Sequence, residues 1–86
     1  MRQYNITLAE YDAMFMSQGQ VCVICHTDNP GAGRSRFSVD HDHETGKVRG
    51  LLCHGCNIVL GMVKDKPKIL RDAAGYLEYH GAIINA

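Results

Sequence analysis

The run Val39-Asp40-His41-Asp42-His43-Glu44-Thr45-Gly46-Lys47-Val48-Arg49-Gly50-Leu51-Leu52-Cys53-His54-Gly55-Cys56-Asn57 decides how the chain folds. Phe37 to His43 alternates apolar and polar side chains, the period of a half-buried strand. Glu44-Thr45-Gly46-Lys47 reads as a turn, with Gly46 at the position that tolerates positive φ. Val48 to Leu52 is the returning strand. Cys53-His54-Gly55-Cys56 is a metal knuckle, and from Asn57 onward Ile58, Val59, Leu60, Met62 and Val63 predict a short helix despite Gly61. The block therefore reads strand, strand, helix.

Working outward, a second Cys-x-x-Cys knuckle, Cys22/Cys25, precedes the hairpin, with 27 residues between the two pairs. Such a knuckle brings two thiolates onto one Zn²⁺, and two knuckles complete a tetrahedron with no open position. The site so formed is structural. Two disulfides would also staple the chain, but Met1-Arg2-Gln3-Tyr4-Asn5 is not followed by an apolar leader segment. A reducing cytosol keeps thiols free for metal, so the expectation is zinc at Cys22, Cys25, Cys53 and Cys56 in a cytoplasmic protein. His26 and His54 adjoin knuckle cysteines and are read as bystanders, since the four-sulfur set is complete. With 86 residues there is room for one domain, residues 1–86. Its core is small enough to need such a staple. No stretch approaches the roughly 18 apolar residues of a membrane span.

The flanks are helical. Thr7-Leu8-Ala9-Glu10 is a capping box, and Leu8, Tyr11, Met14, Phe15 and Met16 recur near helical spacing, predicting a helix over Leu8–Ser17 with these residues in the core. Val21 to Cys25 reads as a short β-like entry into a turn, and Thr27 to Ser35 as a loop. A last helix is predicted from Ile69 to about His80, with Leu70, Ala73, Ala74 and Leu77 inward. The class is small α+β.

Formal net charge is zero, yet eight of the nine Lys and Arg residues lie between Arg34 and Arg71. Three of the four acids in that stretch (Asp40, Asp42, Glu44) crowd into one run, which leaves a basic surround with an acidic knot. That is the arrangement a metal-dependent phosphodiesterase requires, although a mixed solvated surface has the same composition. Asp40-His41-Asp42-His43 itself admits three readings. It is a metal site, or a base beside a carboxylate-held cation, or an exposed loop without chemistry. Mg²⁺ takes few protein oxygens, and Asp40 with the side-chain carbonyl of Asn57 would suffice; a neutral imidazole can then deprotonate water. On a regular strand Asp40 and His41 point to opposite faces, so convergence requires a bend, a bulge or a strand end. Asp42 orients a histidine or faces solvent. Lys47, Arg49, Lys64, Lys66 and Lys68 are phosphate-contact candidates or solvated charges.

Cys22-Val23-Ile24-Cys25 together with the run from Val39 to Asn57 resembles the recombination endonuclease VII family of phage nucleases, within the His-Me finger (HNH) superfamily. The resemblance extends over about Leu8 to Leu77. It implies a ββα-metal core stapled by zinc on Cys22, Cys25, Cys53 and Cys56, with one helix before and one after. It implies a DNA endonuclease in which Asp40 and Asn57 hold Mg²⁺ or Mn²⁺, His41 is the general base, and His43 orients the scissile phosphate or assists at the metal. Products would carry a 5′-phosphate and a 3′-hydroxyl, and a phage-encoded chain would act in the host cytoplasm. The chain departs from the junction-resolving member in its shorter C-terminus and in Leu60, three positions after Asn57, where that resolvase has an acid. The expectation is therefore a monomer or weak homodimer nicking duplex or branched DNA. The alternative is a zinc-ribbon module that binds nucleic acid without cleaving it.

Overall fold

Strand β1 (Ser38–His41) pairs antiparallel with β2 (Val48–Leu52), and helix α2 (His54–Met62) follows β2 with a single intervening residue. Helix α1 (Leu8–Ser17) precedes the hairpin and α3 (Pro67–Tyr79) closes the order. The computed structural model describes residues 6–81, so the reading of residues 1–5 lies outside the described residues. The described residues form a small α+β fold of three helices and one two-stranded sheet.

Each element has a local cause. At α1 the Glu10 backbone N–H donates to Thr7 Oγ1 (3.1 Å) and the Thr7 N–H donates to Glu10 Oε1 (2.7 Å), so the capping box is complete. Helix α2 begins three residues earlier than expected because Cys53 is its N-cap, its sulfur accepting from the Cys56 N–H. Gly61 does not break it. Pro67 at N1 starts α3 two residues before Ile69, where a missing N–H costs nothing. Between the strands Asp42 builds the turn. Its Oδ1 accepts from the N–H groups of Glu44 (2.8 Å) and Thr45 (3.0 Å), and Gly46 takes φ 76°. Those two backbone donors, Thr45 first, hold the Asp42 carboxyl below its ordinary range. Asp42 is thus a turn residue.

The core consists of Ile6, Cys22, Phe37, Val39, Leu51, Leu52 and Cys53, with Tyr11, Met14, Phe15, Val48, Cys56 and Leu60 packed around it. Two of the seven are knuckle cysteines, so the cysteine cluster and the hydrophobic core are one object. Three expectations need correction. Leu8 and Met16 are exposed, because the α1 face that meets the hairpin is narrow and holds only Tyr11, Met14 and Phe15. Val21 to Cys25 forms no strand. Its backbone turns so that the Cys22 sulfur accepts from the Ile24 N–H, and knuckle geometry overrides β propensity. On α3 only Leu70 is half-buried; Ala73, Ala74 and Leu77 are exposed, since no described element covers that face.

Gln18 bonds the free edge of β2, where the Val23 N–H also reaches the Leu51 carbonyl at 3.4 Å. Its amide nitrogen donates to the carbonyls of Val21 and Leu51 (3.0 Å each), and its amide oxygen accepts from the Leu51 N–H (2.9 Å). It covers the edge of β2 that β1 leaves open. Gly50 permits this approach, since a Cβ there would stand 3.3 Å from Gln18 Oε1. Gln18→Ala leaves the N–H of buried Leu51 unpaired and its carbonyl with only the longer bond from the Val23 N–H (3.4 Å), and we expect a loss of about 2 kcal/mol. That corresponds to a fall of roughly 10 °C in a thermal melt. A melt unchanged within 2–3 °C (about the effect of half a kcal/mol) would remove this role.

Candidate active site

Two groups of chemistry-bearing side chains meet at the hairpin. In the first, the Cys22, Cys25, Cys53 and Cys56 sulfurs all lie within 4.8 Å of one another, and all four are free thiols. Cys25 Sγ and Cys53 Sγ are 3.7 Å apart. A tetrahedron with 2.3 Å Zn–S bonds requires about 3.8 Å between sulfurs. Burial pushes the Cys22 thiol up, but N–H groups of Cys25, Cys53 and Ile24 outweigh it and bring it down to about 6. Cys56 moves the opposite way, raised by burial and then by the sulfurs of Cys53, Cys25 and Cys22. Four thiolates this close cannot all ionise without a cation among them, which is the demand a soft divalent metal meets. His26 is exposed. His54 is half-buried, and its Nδ1 has no hydrogen-bond partner among the described residues.

The second group lines a cavity of about 170 Å³ between the hairpin and α2, bounded by Asp40, His41, His43, Asn57, Leu60 and Asp65 among others. Asp40, His41, His43 and Asn57, singled out from the sequence, thus share one cavity. The strand ends at His41, one of the three conditions under which Asp40 and His41 can share a face, and the pairing register shifts between them. Asp40 pairs with Gly50 and His41 with Val48, which leaves Arg49 as the extra residue of β2. The His41 and His43 rings meet edge to face with centroids 5.0 Å apart. Asn57 sits in the first turn of α2, and its N–H donates to the Cys53 carbonyl. The second knuckle therefore fixes the position of Asn57.

Two more residues matter here: Arg49, expected as a phosphate contact or a solvated charge but held by carboxylates, and Asp65, which the sequence did not mark. Arg49 is bonded to both Asp40 oxygens, Nε to Oδ2 at 2.7 Å and Nη2 to Oδ1 at 3.0 Å. The hydrogen bond to Asp40 holds the Arg49 proton more firmly than usual, partly offset by burial. Asp65 accepts from Arg49 Nη2 at 3.4 Å and stands 3.7 Å from His43 Nδ1. It is carried on a left-handed turn after α2, Lys64 with φ 53° and Asp65 with φ 58°. Two consecutive non-glycine residues in that region are strained, a condition that collects at functional sites. The turn joins helices, and no spacing rule placed its carboxylate beside His43. Lys68, in contrast, donates to Asp72 on α3 at 2.8 Å.

Among the described residues the four cysteines are the one group of three or more His, Cys, Asp or Glu side chains close enough to share an ion, and the second cavity offers scattered oxygens. Asp40 keeps free lone pairs beside those that accept from Arg49, and Asn57 and Asp65 add oxygens to the same cavity.

The site thus defines a small protein that carries a four-cysteine cluster beside an acid–imidazole cavity. The family model for recombination endonuclease VII matches residues 1–79, and the chain belongs to that family. It is 47% identical over 81 residues to the Gene 59 protein of Mycobacterium phage D29, covering 93% of this chain and 48% of that protein. It is 45% identical over 75 residues to the Gene 59 protein of Mycobacterium phage L5, covering 86% and 44%. The chain therefore spans less than half the length of these two relatives. No solved structure gives a significant match. Among the described residues no helix is long and apolar enough to cross a membrane.

Proposed function

We propose that the chain is a metal-dependent DNA endonuclease of the His-Me finger type, hydrolysing phosphodiester bonds in duplex or branched DNA. The observation that carries this is the single cavity shared by Asp40, His41, His43 and Asn57 on a β–β–α frame. Family membership supports the substrate class.

In this reading Zn²⁺ sits on the four cysteines and is structural. Asp40 and Asn57 hold Mg²⁺ or Mn²⁺, which when bound neutralises charge on the phosphate and the departing 3′-oxygen. His41 takes the proton from the attacking water. His43, kept in place by Asp65, orients the scissile phosphate. Arg49 fixes both Asp40 oxygens, so the carboxylate does not rotate away when substrate arrives. The products carry a 5′-phosphate and a 3′-hydroxyl. The protein acts in the cytoplasm of the infected cell as a monomer or weak homodimer.

The test is conversion of supercoiled plasmid to nicked or linear forms with Mg²⁺ or Mn²⁺, wild type against His41→Ala. Nicking by wild type and none by the variant is the expected result. Equal conversion by both, or none by either, returns the chain to the zinc-ribbon reading of a binding module without chemistry.

A further inference from the structure

The loop between the first knuckle and β1 forms a wall of its own beside the catalytic cavity. A groove of about 640 Å³ is lined by Gly33 to Val39 and by Asn57. Val39 and Asn57 also bound the acid–imidazole cavity, so the two spaces adjoin. No acidic residue lines the groove, whereas Arg34, Ser35, Arg36 and Ser38 do. Among the described residues neither Arg34 nor Arg36 makes an ion pair, in contrast to Arg49 and Lys68, whose charges are taken by Asp40 and Asp72.

The loop is held rather than loose. The Asn29 side chain accepts from the Gly31 N–H (2.9 Å), the Arg34 N–H donates to the Gly31 carbonyl (3.0 Å), and the His54 N–H donates to the Pro30 carbonyl (2.7 Å). The last bond ties the loop to the second knuckle. Gly31, Ala32 and Gly33 take φ of 87°, 53° and 69°, a tight left-handed turn. On the other side Phe37 is buried, and the Tyr11 hydroxyl donates to its carbonyl (3.1 Å). The Arg36 guanidinium lies over the Tyr11 ring, 5.4 Å from its centroid. Two cations with no carboxylate partner thus stand on an anchored loop, next to Asn57.

We propose that this groove carries the phosphodiester backbone flanking the scissile bond, with Arg34 and Arg36 as its phosphate contacts. The inference rests on the nuclease reading for its substrate, and it makes the loop the part that sets the strand's path into the cavity. The chemistry recognised is the phosphate, so the groove reads backbone and not base sequence.

The test separates binding from cleavage. Zinc-loaded full chain carrying His41→Ala is titrated with a fluorescein-labelled DNA duplex over a range of NaCl, without added divalent metal. Each neutralised phosphate contributes a slope of about −0.9 in log K against log salt. Adding Arg34→Ala and Arg36→Ala is expected to flatten the slope by about 1.8 and weaken binding at least tenfold at low salt. The Arg34→Lys/Arg36→Lys pair is expected to keep the slope, because charge sets it. Lys68→Ala/Arg71→Ala removes the same two charges from α3 and is expected to leave it unchanged. Zinc content and circular dichroism confirm that each variant is folded. An unchanged slope in the alanine pair overturns the proposal, as does an equal loss in the α3 pair or the lysine pair, or no DNA binding at all. If the alanine pair flattens the slope while wild type cleaves nothing, the groove stands and the nuclease reading falls.

Discussion

Removal of metal from the four cysteines is expected to unfold the chain. The seven-residue core includes Cys22 and Cys53, and Cys53 also caps α2. Structural zinc contributes on the order of 10–16 kcal/mol to folding in small domains, while a whole small domain has a net stability of only about 5–15 kcal/mol. A loss of that size is comparable to or larger than the whole net stability. We expect a chelator to abolish cooperative melting and helical circular dichroism, and added Zn²⁺ to restore both at one equivalent per chain. Cys53→Ser should reproduce the loss, because it removes a ligand, a buried apolar atom and a helix cap together. Cys25→Ser, at an exposed position, should be milder. A chelated protein that still melts cooperatively within a few degrees of the loaded one would show that the cysteines are not the staple.

That dependence explains what could be read from residue order. Helix α1 and strand β2 have the predicted bounds, because the capping box at Thr7–Glu10 and the run Val48–Leu52 are local signals. That Asp40, His41, His43 and Asn57 line one cavity was legible because two knuckles bracket the hairpin. Convergence of Asp40 and His41 calls for a bend, a bulge or a strand end; the register shift there places the extra residue, Arg49, on β2, which only the pairing determines. What sequence did not reveal depends on contacts across the chain. Gln18 supplies strand-like bonds to Leu51 from 33 residues away, and a lone glutamine carries no such mark. Asp65 enters the cavity through a left-handed turn with no glycine in it, so the usual turn signal was missing. Ala73, Ala74 and Leu77, read as inward, are exposed because amphipathic spacing states which face is apolar, not whether anything covers it.

His41→Ala should have the largest effect on chemistry, and its size separates two roles that the cavity leaves adjacent. A positioned general base contributes about 10²–10⁴-fold, so we expect kcat to fall about 1,000-fold, near 4 kcal/mol of barrier. Binding of DNA should persist, since its phosphate contacts lie elsewhere. Loss of an imidazole leaves space in a cavity of about 170 Å³, so added imidazole should restore part of the rate to this variant. His43 has a different standing. Its side chain is 62% exposed and is steadied by Asp65 at 3.7 Å. An orienting residue loses less on removal, and supporting contacts around a metal site are typically worth about 10–100-fold. We therefore expect His43→Ala and Asp65→Asn each to cost about tenfold, with no rescue by imidazole and partial recovery in Asp65→Glu. Single-turnover plasmid nicking at saturating protein measures all four variants on one scale. If His43→Ala proves as damaging as His41→Ala and imidazole rescues it instead, the base belongs at His43. The register shift would then serve to aim Asp40 alone.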